Sequence, residues 1–240
     1  VQTCALPIWM MKLPSSQRKC RYMITGEVGR KICPNVYECG NCSFDQMMQA
    51  RIESEVLPVH AEKQVEGFQV AEDVYYHEGH TWAKPEYGGQ IRVGLDDFAR
   101  KMLGKLGSID LPDIGHEVKQ GTAGFDVRRN NEVARVLSPV DGIVSRVNDR
   151  IVDNPDLINE SPYEEGWLFI IEPTKMRKNL KSLYFGDQAE NFMGDEAERL
   201  WAMADEEFRM AADGGASVDD VFEAIGGKSW KDFVKSFLRS

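Results

Sequence analysis

The chain has 240 residues, of which 42% are hydrophobic and 28% are charged, and its formal net charge is −10 at pH 7. These proportions are ordinary for a globular protein of one or two domains. The acidic balance argues against binding to nucleic acid or to an anionic membrane surface. No apolar run approaches the ~20 residues of a transmembrane helix, and no secretory signal pattern is visible. We therefore expect a cytoplasmic protein.

The N-terminal stretch from Val1 to Trp9 looks foreign to the sequence that follows it. It resembles a translated cloning or adapter remnant, so we exclude it from fold reasoning together with Cys4. Residues 10–19 are mostly polar. We expect residues 1–19 to form a non-native or flexible tail.

Residues 20–57 combine a cysteine-rich segment with a helix. The cysteines are Cys20, Cys33, Cys39 and Cys42. The last two form a C-x-x-C pair, a turn that brings two thiolates together, and four thiolates suffice to hold a structural zinc ion. The pattern predicts a metal site, with zinc ahead of an iron–sulfur cluster. Buried free thiols and a redox-active C-x-x-C remain the alternatives.

A helix is predicted to start at Ser43 and to end at Leu57, because hydrophobic residues recur at helical spacing and Pro58 follows. Residues 58–72 are polar with scattered valines. This composition predicts a linker between the cysteine-rich segment and the next domain.

Residues 73–186 predict a β-rich domain of short strands separated by turns. A first strand pair is expected around the Glu78-Gly79 turn, and a short helix is expected to begin at Asp96 and to end before Gly104.

The sequence GFDVRRNNEVARVLSPVDGIVSRVN, residues 124–148, is rich in aliphatic and β-branched residues. It predicts two strand pairs, with tight turns at Asn130-Asn131 and at Asp141-Gly142, because asparagine and glycine tolerate the positive φ of such turns.

Residues 187–240 are acidic and predict a helical C-terminal extension. Apolar residues near helical spacing are Phe192, Leu200, Trp201, Ala204 and Phe208. Two further short helices are expected after Ser217 and Ser229, which are suitable N-cap residues.

A series of short motifs in the β-rich domain resembles the glycine cleavage system H protein family, and the motifs occur in the family's order. They are His80-Thr81-Trp82, Val93 to Ala99, Leu111 to Gly115, Ser138 to Gly142, Val147-Asn148, Asn154 to Asn159, Pro162-Tyr163 and Gly166 to Leu168. The resemblance covers about residues 73–172. It implies an α+β, mainly β fold: a lipoyl-domain-like barrel-sandwich hybrid with a carrier hairpin at one edge.

In the family that the chain resembles, a lysine at the tip of this hairpin carries lipoic acid. Counting back from Ser138 to Gly142 places Asn131 at the equivalent position. Neither asparagine nor the neighbouring Arg128 and Arg129 can supply the nucleophilic amine that lipoylation needs. We therefore expect Asn131 to be unmodified and lipoate to be absent.

Three functions remain open. The first, which we favour, is an H-protein-like interaction or regulatory protein without a lipoyl group. Its cysteine segment is a metal-stabilised or redox-responsive appendage, and its protein partner belongs to lipoyl-dependent or glycine cleavage metabolism. The second is a lipoyl-carrying H protein that shuttles an aminomethyl group on a lysine elsewhere in the chain. The third is a metal-centred redox or sensor protein. We do not expect an enzyme, because no carboxylates converge on a nucleophile and no phosphate-binding glycine loop occurs.

The pair Arg128-Arg129 lies beside the predicted hairpin turn. It is either a solvated charge pair or a contact for a carboxylate or phosphate group of a partner.

Overall fold

The computed structural model of the chain describes Pro14 and residues 17–24, 28–54, 62–203, 220–225 and 229–240. The stretch Val1 to Trp9, which we excluded as foreign, lies outside these residues. The chain divides into two compact units. The small unit comprises Val1–Leu57 and Glu86–Gly89, and the large unit comprises Pro58–Pro85 and Gln90–Ser240.

The small unit contains two helices, α1 (Arg21–Ile24) and α2 (Ser43–Ser54), and a 3₁₀ turn at Cys39–Asn41. Its apolar core is small. Tyr22 and Met48 are buried, and Cys20, Val28 and Phe44 pack against them partly exposed. The helix predicted from Ser43 is present, and its predicted end at Leu57 lies outside the described residues.

The large unit is mainly β. Its strands are β1 (Glu62–Val65), β2 (Phe68–Ala71), β3 (Tyr75–Tyr76), β4 (Thr81–Pro85), β5 (Ile91–Leu95), β6 (Ser108–Asp110), β7 (Glu117–Val118), β8 (Ala123–Arg129), β9 (Glu132–Leu137), β10 (Gly142–Val147) and β11 (Trp167–Pro173). Its helices are α3 (Asp97–Leu103), α4 (Asp149–Asp153), α5 (Leu157–Glu160), α6 (Met176–Leu180), α7 (Asp187–Met203), α8 (Val221–Ile225) and α9 (Trp230–Leu238).

These strands form a six-stranded sheet of order β3-β4-β5-β11-β10-β7, a three-stranded sheet of order β6-β8-β9, and the separate hairpin β1-β2. Every pairing in them is antiparallel. The prediction of a mainly β, α+β fold of the barrel-sandwich type is therefore confirmed.

The core of the large unit is organised around Trp82, which is fully buried. Its indole Nε1 donates hydrogen bonds to the carbonyl oxygens of Leu95 (2.9 Å) and Pro162 (3.1 Å), so burial leaves no polar atom of the ring unsatisfied. Gly94 lies on the neighbouring strand directly against this ring, where any Cβ atom would overlap the indole. A glycine is therefore required at this position.

Helix α3 begins and ends as the sequence predicts. Asp96 is its N-cap, and the Asp96 side chain accepts a hydrogen bond from the backbone N–H of Ala99 at 2.8 Å. Gly104 follows the last turn with φ +66, a conformation that glycine adopts without steric cost.

The second strand pair predicted within residues 124–148 does not form. Strand β9 pairs with β8 in the three-stranded sheet, whereas β10 pairs with β11 and β7 in the six-stranded sheet. The segment Ser138 to Asp141 therefore carries the chain from one sheet to the other. A Cβ atom at Gly142 would overlap the carbonyl oxygen of Glu172, so this glycine permits a close approach between strands and does not form a hairpin turn.

The stretch predicted as a linker, residues 58–72, also differs in the structure, because it contains the β1-β2 hairpin. Glu66 and Gly67 form the turn, with φ +48 and +88. Phe68 and Val70 are buried in the core of the large unit. The few apolar residues of this stretch were too widely spaced to predict a strand pair against its polar background.

The predicted C-terminal extension is helical where it is described, but it belongs to the core and is not a peripheral tail. Phe233 and Phe237 of α9 are buried, and the ring of Phe237 lies 5.4 Å from that of Phe98 in α3. The predictions made for Ala204, Phe208 and Ser217 fall outside the described residues.

Candidate functional site

The β8-β9 hairpin has the geometry predicted for the carrier hairpin. Arg129 pairs with Glu132, so Asn130 and Asn131 alone form the connecting turn. Asn130 has φ +52, in the left-handed region that asparagine tolerates better than most residues. Both asparagines are exposed. The tip of the hairpin therefore presents two carboxamide side chains to solvent.

The hairpin itself, Ala123 to Leu137, contains no lysine. Lys119 is the nearest lysine upstream, and it is exposed. It follows β7 directly, and its carbonyl oxygen accepts a hydrogen bond from the backbone N–H of Thr122 at 3.1 Å. Lys119 therefore lies in the turn between β7 and β8, at the opposite end of β8 from the Asn130-Asn131 tip.

The two arginines next to the tip bind carboxylates of this same chain. Arg128 forms an exposed ion pair with Asp110 on β6, through Nε at 2.7 Å and Nη2 at 2.6 Å. Such exposed pairs contribute at most about 1 kcal/mol. The sequence left open a contact between Arg128 and a carboxylate of a partner. In the structure, Arg128 binds the carboxylate of Asp110 on the adjacent strand β6.

Arg129 is held far more firmly, and its side chain is only 11% exposed. Its Nη1 donates to Asp220 Oδ1 at 2.6 Å and to the carbonyl oxygen of Leu103 at 2.7 Å. Its Nη2 lies 3.2 Å from Glu223 Oε2, and the ring of Phe222 lies below the guanidinium. These contacts join the base of the hairpin tip to helix α8.

Helix α9 and the last residue bind the outer edge of the same hairpin. Strand β9 is an edge strand, which leaves some of its backbone carbonyls without a strand partner. Trp230 Nε1 donates to the carbonyl oxygen of Val133 at 3.1 Å, and Ser240 Oγ donates to that of Arg135 at 2.8 Å. The C-terminal extension thus covers the edge of β9 and leaves the tip exposed.

A buried charge network joins helix α7 to the core next to this hairpin. His80 is fully buried, with Nδ1 2.9 Å from Asp96 Oδ2 and Nε2 3.7 Å from Glu196 Oε2. Glu196 also pairs with Arg199 and with Arg239, which follows α9. Burial by itself lowers the pKa of His80, but the two carboxylates outweigh burial and raise this pKa to about 9.

His77 and His80 belong to no group of described side chains that could hold a metal ion. The ring of His80 stacks on those of Phe98 and Phe192, at centroid distances of 4.2 and 5.2 Å. His77 Nδ1 accepts a hydrogen bond from the backbone N–H of Gly79, and burial lowers the pKa of His77. Both histidines therefore serve packing and hydrogen bonding.

The predicted metal ligands of the small unit come together in one cavity. It is lined by all four of these cysteines, Cys20, Cys33, Cys39 and Cys42. None of them is in a disulfide bond. Within the described part of the chain, however, no group of three or more His, Cys, Asp or Glu side chains is arranged so that it could hold a metal ion. The structure therefore brings the cysteines to one place without giving support for bound zinc.

Sequence reasoning missed the contacts between the hairpin and the C-terminal extension. These contacts join residues 91 to 105 positions apart, and no motif in either segment indicates the other.

In the ranges that the structure covers, no helix is both long and apolar enough to cross a membrane.

The comparisons with known proteins all point to one family. The profile described as "Glycine cleavage H-protein" matches residues 74–196. The glycine cleavage system H protein of Anaeromyxobacter sp. (strain K) is 41% identical over 115 residues, which are 48% of this chain and 88% of that protein. The probable glycine cleavage system H protein of Thermococcus kodakarensis is 38% identical over 116 residues, covering 48% and 86%.

A third relative, the glycine cleavage system H protein of Oceanobacillus iheyensis, is 37% identical over 124 residues, which are 52% of this chain and 97% of that protein. Among solved structures, the H protein of Mycobacterium marinum is 32% identical, with a TM-score of 0.41, and the match covers 44% of this chain and 87% of that one. Because the profile covers half of the chain and these relatives match over most of their length, the chain belongs to the glycine cleavage H-protein family.

Proposed function

We propose that this chain is an H-protein-like module that carries no lipoyl group and works through protein contacts, as an interaction or regulatory component of lipoyl-dependent or glycine cleavage metabolism. H proteins are carriers within the glycine cleavage system and not enzymes, so family membership agrees with the prediction that the chain is not an enzyme. We keep the cytoplasm as the proposed compartment, where thiols stay reduced.

The observation that carries the proposal is the chemistry of the hairpin tip. A lipoyl amide forms on the ε-amine of a lysine, and the tip offers only the carboxamides of Asn130 and Asn131. A carboxamide nitrogen shares its lone pair with the carbonyl group, so it is not a nucleophile. The nearest cation, Arg129, remains protonated and is bound by Asp220 and Glu223.

The C-terminal extension supports the proposal independently. In the contacts described above, α8, α9 and Ser240 bind both strands of the hairpin. The matched family region ends at residue 196, so these contacts come from a part of the chain outside the family match. Because contacts with its own chain fix one edge of this hairpin, the hairpin is suited to serve as a rigid binding surface.

The alternative is a lipoyl-carrying H protein, which family membership alone would favour. It requires a lysine outside the hairpin as the attachment site. Lys119 is the best candidate because it is exposed and lies in a turn. It is nevertheless at the wrong end of β8 for the tip position that the family motifs define.

Intact-mass measurement after co-expression with a lipoate ligase and added lipoate distinguishes the two. We expect the wild-type chain to keep its unmodified mass. The matched variant Asn131→Lys restores an amine at the tip, and we expect a fraction of it to gain one lipoyl group. A lysine-bearing H protein expressed in the same cells shows that the ligase is active. A lipoyl mass on the wild-type chain, mapped to any lysine, would refute the proposal.

A further inference from the structure

We infer that the four cysteines of the small unit bind a single zinc ion, which keeps this unit folded. Backbone hydrogen bonds fix the main-chain positions of all four cysteines. Cys20 N–H donates to the carbonyl oxygen of Lys31 at 2.9 Å, and Cys33 N–H donates to that of Arg18 at 2.6 Å. These two bonds flank the antiparallel bridge between Lys19 and Ile32. Cys20 and Cys33 are thereby held on two adjacent segments.

The other two thiols belong to one turn. Cys42 N–H donates to the carbonyl oxygen of Cys39 at 2.9 Å, around the 3₁₀ turn Cys39–Asn41. A C-x-x-C turn of this kind supplies two ligands of a tetrahedral zinc site, and two further thiolates complete it. All four cysteines line one cavity.

The size of that cavity favours a single ion. Its volume is about 20 Å³. A cavity of this size holds about one water-sized group, whereas an iron–sulfur cluster contains several iron and sulfur atoms. The cavity therefore suits a mononuclear ion better than a cluster.

Charged and hydrogen-bonding groups surround the four thiols. Four thiolates around Zn²⁺ carry a net charge of about −2. The cations Arg21 and Lys31 line the same cavity, together with the carboxylates of Glu38 and Asp45. Cys33 Sγ also accepts a hydrogen bond from the backbone N–H of Tyr37 at 3.2 Å. Hydrogen bonds to ligand atoms of this kind orient and stabilise metal ligands.

The described part of the small unit has few buried apolar side chains to stabilise it. Among its described residues, the buried apolar side chains are those of Tyr22, Cys33, Tyr37 and Met48, and the four cysteines that line the cavity form no disulfide bonds. Domains of about 60 residues are marginally stable, and many of this size add a disulfide or a structural metal. In addition, Val36 and Tyr37 adopt φ +48 and +67, a strained conformation for non-glycine residues that needs compensation. Zinc binding would supply the stabilisation that offsets this strain.

Zinc binding needs one change from the described geometry. Because no three potential ligands are arranged for a metal ion in the residues that the structure covers, the thiol groups must turn inward. Rotation about the Cα–Cβ bonds of the cysteines would move their sulfur atoms without breaking the backbone hydrogen bonds described above, and the inference requires that this rotation bring the four sulfur atoms together.

Metal analysis of the purified full-length chain, grown with added zinc and kept reduced, tests the inference. We expect about one zinc ion per chain in the wild type and in the control variant Cys4→Ser, and less than about a tenth of that in Cys39→Ser and Cys33→Ser. Replacement by Co²⁺ should give the absorption of a tetrahedral thiolate site in the wild type only.

A second measurement remains informative if the cysteine variants fail to fold. Removing the metal from the wild type with a chelator should speed proteolytic cleavage within residues 20–54 at least tenfold, without speeding cleavage within 73–203, and added zinc should reverse the effect. A wild-type chain that holds no zinc, even after reconstitution, would overturn the inference. So would zinc retained in Cys39→Ser, or iron found together with acid-labile sulfide. None of these outcomes bears on lipoylation, which the mass measurement decides.

Discussion

The buried His80 network makes the stability of the large unit depend on pH in a window that can be stated in advance. His80 is fully buried between Asp96 and Glu196, and its pKa rises from the ordinary 6.5 to about 9. A raised pKa means that the folded state binds a proton more tightly than the unfolded state does. The resulting stabilisation is complete below pH 6.5 and is lost as the pH rises through about 9.

The size of the effect follows from the shift. A change of one pKa unit corresponds to about 1.4 kcal/mol, so the rise at His80 corresponds to about 3 kcal/mol of unfolding free energy. We expect the free energy of unfolding of the wild type to fall by about this amount between pH 6.5 and pH 9. The variant His80→Asn should lack that fall, since asparagine tolerates the φ of +60 at this position but does not titrate.

Urea denaturation, followed by tryptophan fluorescence at several pH values, measures this difference. His116→Asn is the matched control, because His116 is exposed, and its profile should follow that of the wild type. Glu196→Gln keeps the shape of its side chain but removes one of the two carboxylates, so its fall should end at a lower pH. Parallel pH profiles for the wild type and His80→Asn would refute the reasoning.

Three further predictions concern the large unit, and each can be checked by thermal or urea unfolding. Arg129→Gln should destabilise the protein by about 1–3 kcal/mol, because it removes hydrogen bonds to the carboxylates of Asp220 and Glu223. Arg128→Gln should cost less than about 1 kcal/mol, because its ion pair is exposed. Equal losses in the two variants would contradict this reasoning. Gly94→Ala should cost about 2–3 kcal/mol, because its methyl group overlaps a buried indole, whereas Gly107→Ala meets only an ordinary contact at 3.7 Å and should change little. Deletion of 229–240 should abolish the cooperative transition, since α9 buries five apolar side chains at about 1.5–3 kcal/mol each, and a truncated chain that unfolds like the wild type would show that α9 is dispensable.

The sequence was most informative where the signal is local. The Asn130-Asn131 turn and the cap at Asp96 depend on residues close to one another, and both have the predicted geometry. The Asp141-Gly142 dipeptide shows the limit of this reasoning. It has the composition of a hairpin turn, yet Gly142 is required by a strand that arrives from residue 172, which a local pattern cannot indicate.

The C-terminal extension illustrates the same limit on a larger scale. Helical spacing predicted that α7 and α9 would form, because each has an apolar stripe. It could not indicate which surface would cover that stripe. The stripe of α9 packs into the core of the large unit, and the partner of Trp230 is a backbone carbonyl 97 positions earlier. A carbonyl carries no side-chain signal, so nothing in the sequence points to this contact.

The bonds that secure the β8-β9 hairpin have a consequence for the order of events during synthesis. They join residues separated by 91, 97 and 105 positions, so their C-terminal members are synthesised well after both strands of the hairpin. Strands β8 and β9 can pair early, since a hairpin closes within microseconds, but the edge of β9 stays uncovered until residues 229–240 have been synthesised. During that interval the nascent chain exposes an open strand edge, the feature most prone to pair with another polypeptide.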